Sequence, residues 1–280
     1  MNGAVLEHCV NGDGSPPSRE LGWQVAAARK CGSLHEASGR NCEDAYWVVQ
    51  PKPGVLVIGV ADGAGSAKFA EIGANVAVEN GVAQVCSGLT QAGDALDAPT
   101  LRQILEEAMA AALSAVQMEA TTRGVDCQEL ASTMILVIAL REFIAAAQIG
   151  DGATVVADQA NRMFSLTIPP PGEYLNETVF LTSQDALQTK QVKVWCGRAS
   201  GVAAFSDGLQ MLCLQWPAFE PHAPFFTPLL NFVRSTTDEA AGASELTSFL
   251  HSERVGKGTD DDVTLVLAAL MDDRDDDSED

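Results

Sequence analysis

The order of apolar patterns along this chain predicts an α+β fold, with antiparallel sheets packed together and helices on the outside. Three observations support that expectation. Short runs rich in β-branched residues, such as VLVIGVA at 55–61, have the length and composition of buried strands. Two long stretches place apolar residues at helical spacing instead. The patterns run strands, helices, strands, helices, strand, which is not the regular alternation of a parallel βαβ sheet.

Residues 1–20 include NGDGSPPS at 11–18 and read as a flexible lead-in. A first strand lies within 22–30, around Trp23, Val25 and Ala27. The loop CGSLHEASGRNCE at 31–43 leads to a second strand near 45–49, and 51–54 turn the chain into the strand at 55–61. A helical stripe then follows at 67–86 through Phe69, Ile72, Val76 and Ala83. Another lies at 100–118 through Leu101, Ile104, Leu105, Ala108, Ala112 and Ala115. SGLTQAGDALDAP at 87–99 reads as the connector between them. Strand character returns in STMILVIAL, FIAAAQIG and ATVVAD, which read as a meander of neighbouring antiparallel strands. Three prolines and a glycine at 169–172 open an irregular stretch to about residue 190, and such a loop in a compact domain is often functional. Strands at 192–195 and 201–205 follow, then helical patterns at 208–216, 224–234 and 238–252, and a last strand at 263–270. No repeat and no linker divides 21–270, which reads as one domain.

Of the 280 residues, 46% are hydrophobic and 20% charged, the balance of a globular chain. The net charge of -21 repels nucleic acid and anionic membranes. It also repels a phosphorylated substrate unless bound cations invert the field locally. Seven acids and one arginine in MDDRDDDSED at 271–280 make a solvated, disordered tail the expectation. Seven scattered cysteines with no CxxC fit reduced thiols better than disulfides or a zinc site. The chain opens without a basic region and apolar stretch, and no run is long enough to span a bilayer. A cytoplasmic protein is therefore expected.

Acids sit at the edges of core strands in five places. Glu43 and Asp44 precede AYWVV, Asp62 follows VLVIGVA, Asp151 follows AAAQIG, Asp207 follows GVAAFS, and Asp260, Asp261 and Asp262 precede VTLVLAAL. One acid at a strand end is ordinary turn chemistry. Several gathered together would protonate or splay apart unless paired or metal-bound. Lys and Arg number only 17, so hard cations, Mg²⁺ or Mn²⁺, are the natural counter-charge. Two such ions would acidify a bridging water and neutralise phosphoryl oxygens. The alternative is a set of unrelated turn acids plus the solvated tail.

At these residues the chain resembles the metal-dependent protein serine/threonine phosphatases, the type 2C or PPM family. The likeness spans about residues 22–270, and its motifs agree in order. CEDAYWV at 42–48 resembles the family's Glu-Asp entry motif, and VADGAGS at 60–66 its Asp-Gly metal motif. ASTMILVIAL at 131–140 and IGDGA at 149–153 resemble its Ser/Thr-led strand and Gly-Asp motif. FSDGL at 205–209 and TDDDVTLVLA at 259–268 resemble its last two acidic motifs. The wording of LHEASGRNCEDA and DGAGSAKFAEIGA is most similar to a bacterial branch.

The resemblance implies a four-layer α-β-β-α sandwich with two antiparallel sheets. It implies that Asp62 bridges two metals and the Gly63 carbonyl serves one of them. Asp207 and Asp261 would complete the other, and Glu43 and Asp44 would hold metal-bound waters. Asp151, with Asp207, would match a weaker third metal. The implied activity is hydrolysis of phosphoserine and phosphothreonine on proteins by direct attack of a bridging hydroxide, opposing a kinase. The runner-up is a regulatory module of the same fold without catalysis; an unrelated calcium-binding protein is disfavoured because the acids lack EF-hand spacing. Two departures stand out. Animal members carry a histidine after the Asp-Gly, where this chain has Ala64. Many members place a phosphate-gripping arginine four residues before the glutamate, where this chain has Gly39. Arg40 beside it is the candidate for that grip, since glycine permits an unusual backbone angle there. His35 and Lys68 are the other candidates.

Overall fold

The runs at 55–61 and 134–139 are apolar throughout because both of their faces are covered. A computed structural model of the chain describes residues 22–169 and 178–271. The expected lead-in at 1–20, part of the proline-led loop at 170–177, and all of the acidic tail except Met271 lie outside those residues.

Strand β1 (Trp23–Lys30) leads into a short helix α1 (Ser33–Ser38), followed by the hairpin of β2 (Ala45–Lys52) and β3 (Val55–Ala61). Long helices α2 (Ala70–Ala92) and α3 (Ala98–Arg123) come next. Strands β4 (Met134–Ala139), β5 (Phe143–Ile149), β6 (Ala153–Asp158) and β7 (Met163–Thr167) follow. The chain continues through α4 (Ala186–Thr189), β8 (Gln191–Cys196), β9 (Ala199–Phe205) and the single turn α5 (Gln210–Cys213). A small hairpin of β10 (Leu214–Gln215) and β11 (Glu220–Pro221) precedes helices α6 (Ala223–Ser235), α7 (Glu239–Leu250) and α8 (Glu253–Gly256), and β12 (Val263–Leu270) comes last.

Two five-stranded antiparallel sheets form, in the orders β2-β3-β4-β5-β8 and β1-β12-β9-β6-β7. Alternate residues of each central strand serve different interiors. Val55, Val57, Leu136 and Ile138 face α2 and α3, where they meet Val78, Val82, Leu105 and Met109. Their neighbours Leu56, Ile58, Ile135 and Val137 face the other sheet and meet Val156, Val202 and Val266. On the far side Leu265 and Leu267 pack against Phe226 and Leu230 of α6 and Leu246 of α7. The layers are thus helix, sheet, sheet, helix, the expected α+β sandwich. Among the described residues no helix is long and apolar enough to cross a membrane.

Four local expectations are corrected. The run β4, β5, β6 is not a meander within one sheet: β5 pairs with β4, but β6 pairs with β7 and β9. The chain changes sheets at Gly150, whose φ of +103° is open to glycine. The loop at 31–43 contains α1, which ends on Gly39 at φ +70°. The connector at 87–99 is helical as far as Ala92, because Leu89 extends the buried stripe and Gly88 marks close approach to α3. A Cβ at Gly88 would stand 3.0 Å from the Ile104 side chain. The pattern at 208–216 is not one helix but a 3₁₀ turn, the single turn α5 and the start of a hairpin.

Helix α2 approaches the 3₁₀ turn at Cys127–Leu130 so closely that a Cβ on Gly73 would lie 2.0 Å from the Leu130 carbonyl oxygen. In an exposed helix Gly→Ala stabilises by about 1 kcal/mol. Here backbone has to move, and overpacking of that kind costs about 1–3 kcal/mol. Gly73→Ala is therefore expected to lower the urea midpoint; a raised midpoint would contradict this packing.

Candidate metal centre

Strand register brings the acids together. Ala45 of β2 pairs with Ala61 of β3, so Asp44 and Asp62 leave the hairpin side by side. Phe205 of β9 pairs with both Leu265 of β12 and Ala153 of β6, which brings Asp207, Asp261 and Asp151 to the same end of the other sheet. Because the sheets pack face to face, both groups meet at one seam. Asp62 is fixed through its backbone: its N–H donates to Thr133 Oγ1 at 2.9 Å, and its carbonyl accepts from the Thr133 N–H at 2.7 Å. Gly63 is needed beside it, since a Cβ there would stand 2.8 Å from the Glu43 carbonyl oxygen.

Asp62, Asp151 and Asp207 each offer a carboxylate oxygen within 4.8 Å of the others. With Gly63, Asp261 and His35 they line a cavity of about 190 Å³. Asp151 Oδ2 accepts from the Thr178 hydroxyl at 2.6 Å. Asp44 lies fully buried beside them and accepts from the Ser206 hydroxyl at 2.7 Å. One oxygen on each of Glu43, Asp44 and Asp207 is buried without a hydrogen-bond partner.

Such crowding raises the proton affinity of the carboxylates. Burial, then the charges of Asp44 and Asp207, push Asp62 well above the usual carboxylate range. Burial, then Asp151, pushes Asp207 up to about 6. Burial pushes Asp44 up to about 7, although the hydroxyls of Thr264 and Ser206 pull it the other way. An all-oxygen donor set, orphaned buried oxygens and mutual repulsion together fit hard divalent cations.

The remaining candidates are placed around this cavity. Arg40 does not line it. Its Nη2 donates to Glu43 Oε1 at 2.5 Å and to the Gly65 carbonyl at 2.9 Å. It faces an adjoining cleft of about 570 Å³ that also holds Asn41, Ser66 and Lys68. His35 does line the cavity, with Nδ1 3.0 Å from Asp262 Oδ2.

Asp262 stands among the strand-edge acids of the sequence, but the resemblance gives a role only to its neighbour Asp261. Asp262 is 2% exposed, and its two oxygens accept from the backbone N–H groups of Gly32 and Glu43, each at 2.6 Å. Burial alone would raise its carboxyl, but those amides and His35 outweigh burial and hold it below the ordinary value. It ties the 31–43 loop to the start of β12, whereas Asp261 is exposed. The available signal was its place directly before Val263, where the fully buried run of β12 begins.

The family model described as protein phosphatase 2C matches residues 31–251. Serine/threonine-protein phosphatase 3 of Escherichia coli K12 is 34% identical over 256 residues, which cover 89% of this chain and 98% of that protein. Among solved structures, the serine/threonine phosphatase of Staphylococcus aureus superposes with a TM-score of 0.57 at 13% identity, covering 90% of this chain and 98% of that one. The catalytic domain of a serine/threonine protein phosphatase in complex with two manganese ions superposes with a TM-score of 0.54 at 18% identity, covering 90% of this chain and all of that one. These two likenesses show the fold.

A pH dependence follows for the metal-free protein. Carboxyls raised from 3.8 to about 6 and about 7 keep protons that the unfolded chain has released. The stability this gives is present below the unfolded value and is lost as pH rises through the folded values. The metal-free melting midpoint is expected to fall from about pH 5 to 7.5, and saturating Mn²⁺ should remove most of that fall. A metal-free midpoint that rises across this interval would contradict the crowding.

Proposed function

This chain belongs to the protein phosphatase 2C family, and from that premise we propose that it is a metal-dependent phosphoprotein phosphatase acting on phosphoserine and phosphothreonine. The observation that carries this reading is the meeting of Asp62, Asp151 and Asp207 in one cavity beside Asp261, Asp44 and Glu43. Retention of every one of these carboxylates favours catalysis over a binding module of the same fold.

In this reading Asp62, the Gly63 carbonyl, Asp207 and Asp261 would hold two Mn²⁺ or Mg²⁺ ions, with Asp62 serving both. Glu43 and Asp44 would hold them through water, and Asp151 with Asp207 would serve a weaker third position. When bound, the ions offset the carboxylate charge, bind phosphoryl oxygens and acidify a water so that phosphorus can be attacked directly near neutral pH. The chain's own residues then have separate tasks. Thr133 holds the Asp62 backbone and Ser206 holds the Asp44 carboxylate, so the acids keep their places while their charge is shared out. Arg40 and Lys68 put positive charge in the adjoining cleft, where a phosphoprotein must approach a chain of net charge -21. Ala64 leaves no acid directly after the Asp-Gly, so protonation of the departing seryl or threonyl oxygen falls to another donor.

We place Arg40 as the phosphate grip. Both contacts to Glu43 and Gly65 are made by Nη2, and a guanidinium has five N–H donors. A charge-assisted contact contributes about 1.5–3 kcal/mol, or about 10- to 150-fold. Arg40→Ala is expected to lower kcat/KM for an aryl phosphate at least about tenfold with Mn²⁺ affinity unchanged. A larger loss in His35→Ala or Lys68→Ala would move the grip to that residue. Asp62→Asn is expected to reduce Mn²⁺-dependent hydrolysis to a few per cent or less; near wild-type turnover at saturating Mn²⁺ would overturn the metal assignment.

A further inference from the structure

A second group of metal-ligating side chains lies apart from the all-carboxylate set. Cys31, His35 and Asp262 bring one ligand atom each within 4.8 Å of one another. The phosphatase reading gives Cys31 no task. We propose that these three residues form a separate site for a borderline-soft divalent cation of the zinc type.

The placement is built by the fold. Lys30 of β1 pairs with Val263 of β12, so Cys31 and Asp262 lie immediately beyond the paired ends of adjacent strands. The Cys-x₃-His spacing then brings His35 back over them through α1. Gly32 makes the approach possible, because a Cβ there would lie 2.4 Å from the Asp261 backbone. Asp262 is held rigidly by the amides of Gly32 and Glu43, the kind of supporting contact that orients a metal ligand. His35 Nδ1 stands 3.0 Å from Asp262 Oδ2. Ligands of a tetrahedral zinc ion with bonds of about 2.0 Å are separated by roughly 3.3 Å, close to the His35–Asp262 separation, and the Cys31 sulfur lies within 4.8 Å of both.

The donor chemistry selects the ion. Sulfur, imidazole nitrogen and one carboxylate oxygen suit Zn²⁺ or Co²⁺, whereas the neighbouring all-oxygen cavity suits Mg²⁺ or Mn²⁺. One thiolate and one carboxylate balance a divalent charge. Without an ion, burial and then the Asp262 charge push the Cys31 thiol up to about 11. Binding forms a metal–sulfur bond and releases the thiol proton to water. Three protein ligands leave one position for solvent. His35 also forms part of the carboxylate cavity wall, so occupancy would alter that wall.

The site does not depend on the phosphatase reading, and Co²⁺ tests it through a signal that carboxylates cannot give. Titration of metal-free full-length protein is expected to produce a thiolate-to-cobalt charge-transfer band in the near ultraviolet that saturates and is bleached by Zn²⁺. The band should persist in Asp62→Asn, disappear in Cys31→Ser, and require at least about tenfold more Co²⁺ in His35→Ala. Cys42→Ser, which removes another thiol in this region, should retain it. Melting curves of each variant identify any that has lost its fold, and Cys31 and His35 then decide independently. Absence of the band in the wild type, or its survival in folded Cys31→Ser, overturns the proposal.

Discussion

Carboxylates gathered in one cavity repel one another, and the rest of this structure is arranged around holding them there. The repulsion is visible in the raised proton affinities of Asp44, Asp62 and Asp207. It is contained because each acid ends a strand whose remaining residues are locked in one of three apolar interiors. Neither sheet could hold the set alone. One supplies Asp44 and Asp62, the other Asp151, Asp207 and Asp261, and the layer of Leu56, Ile58, Val202 and Val266 between the sheets sets their separation. A counter-charge completes such an arrangement, and Arg40 answers only Glu43 at its edge.

The strand-end acids were legible in the sequence because each interrupts an apolar run at its boundary. The layers were legible for the same reason, since runs such as VLVIGVA need two covered faces. Sheet membership was not. β5 and β6 are both buried on both faces, so alternation carries no mark of which sheet each joins, and Gly150 looks like any hairpin glycine. Gly88 misled in the opposite direction, because close packing against Ile104 and a loop both favour glycine. Among Asp260, Asp261 and Asp262, composition could not separate an exposed acid from the one buried between two amides.

Asp262 links two levels of the site. Its bonds to Gly32 and Glu43 fix the loop that presents Arg40, His35 and Glu43, so a residue outside the carboxylate cavity sets the shape of that cavity's wall. Hard and soft donor sets therefore lie back to back, sharing His35 at their border. Their separation by donor type, rather than by distance, is what would keep two kinds of ion apart.

The central claim is that the seam carboxylates form a divalent-cation centre. Anomalous scattering from crystals grown with Mn²⁺ tests it most directly. The account predicts two strong manganese peaks within the cavity lined by Asp62, Gly63, Asp207 and Asp261, with Asp62 touching both. A cavity without manganese, in crystals whose anomalous peaks lie only elsewhere on the molecule, would contradict it.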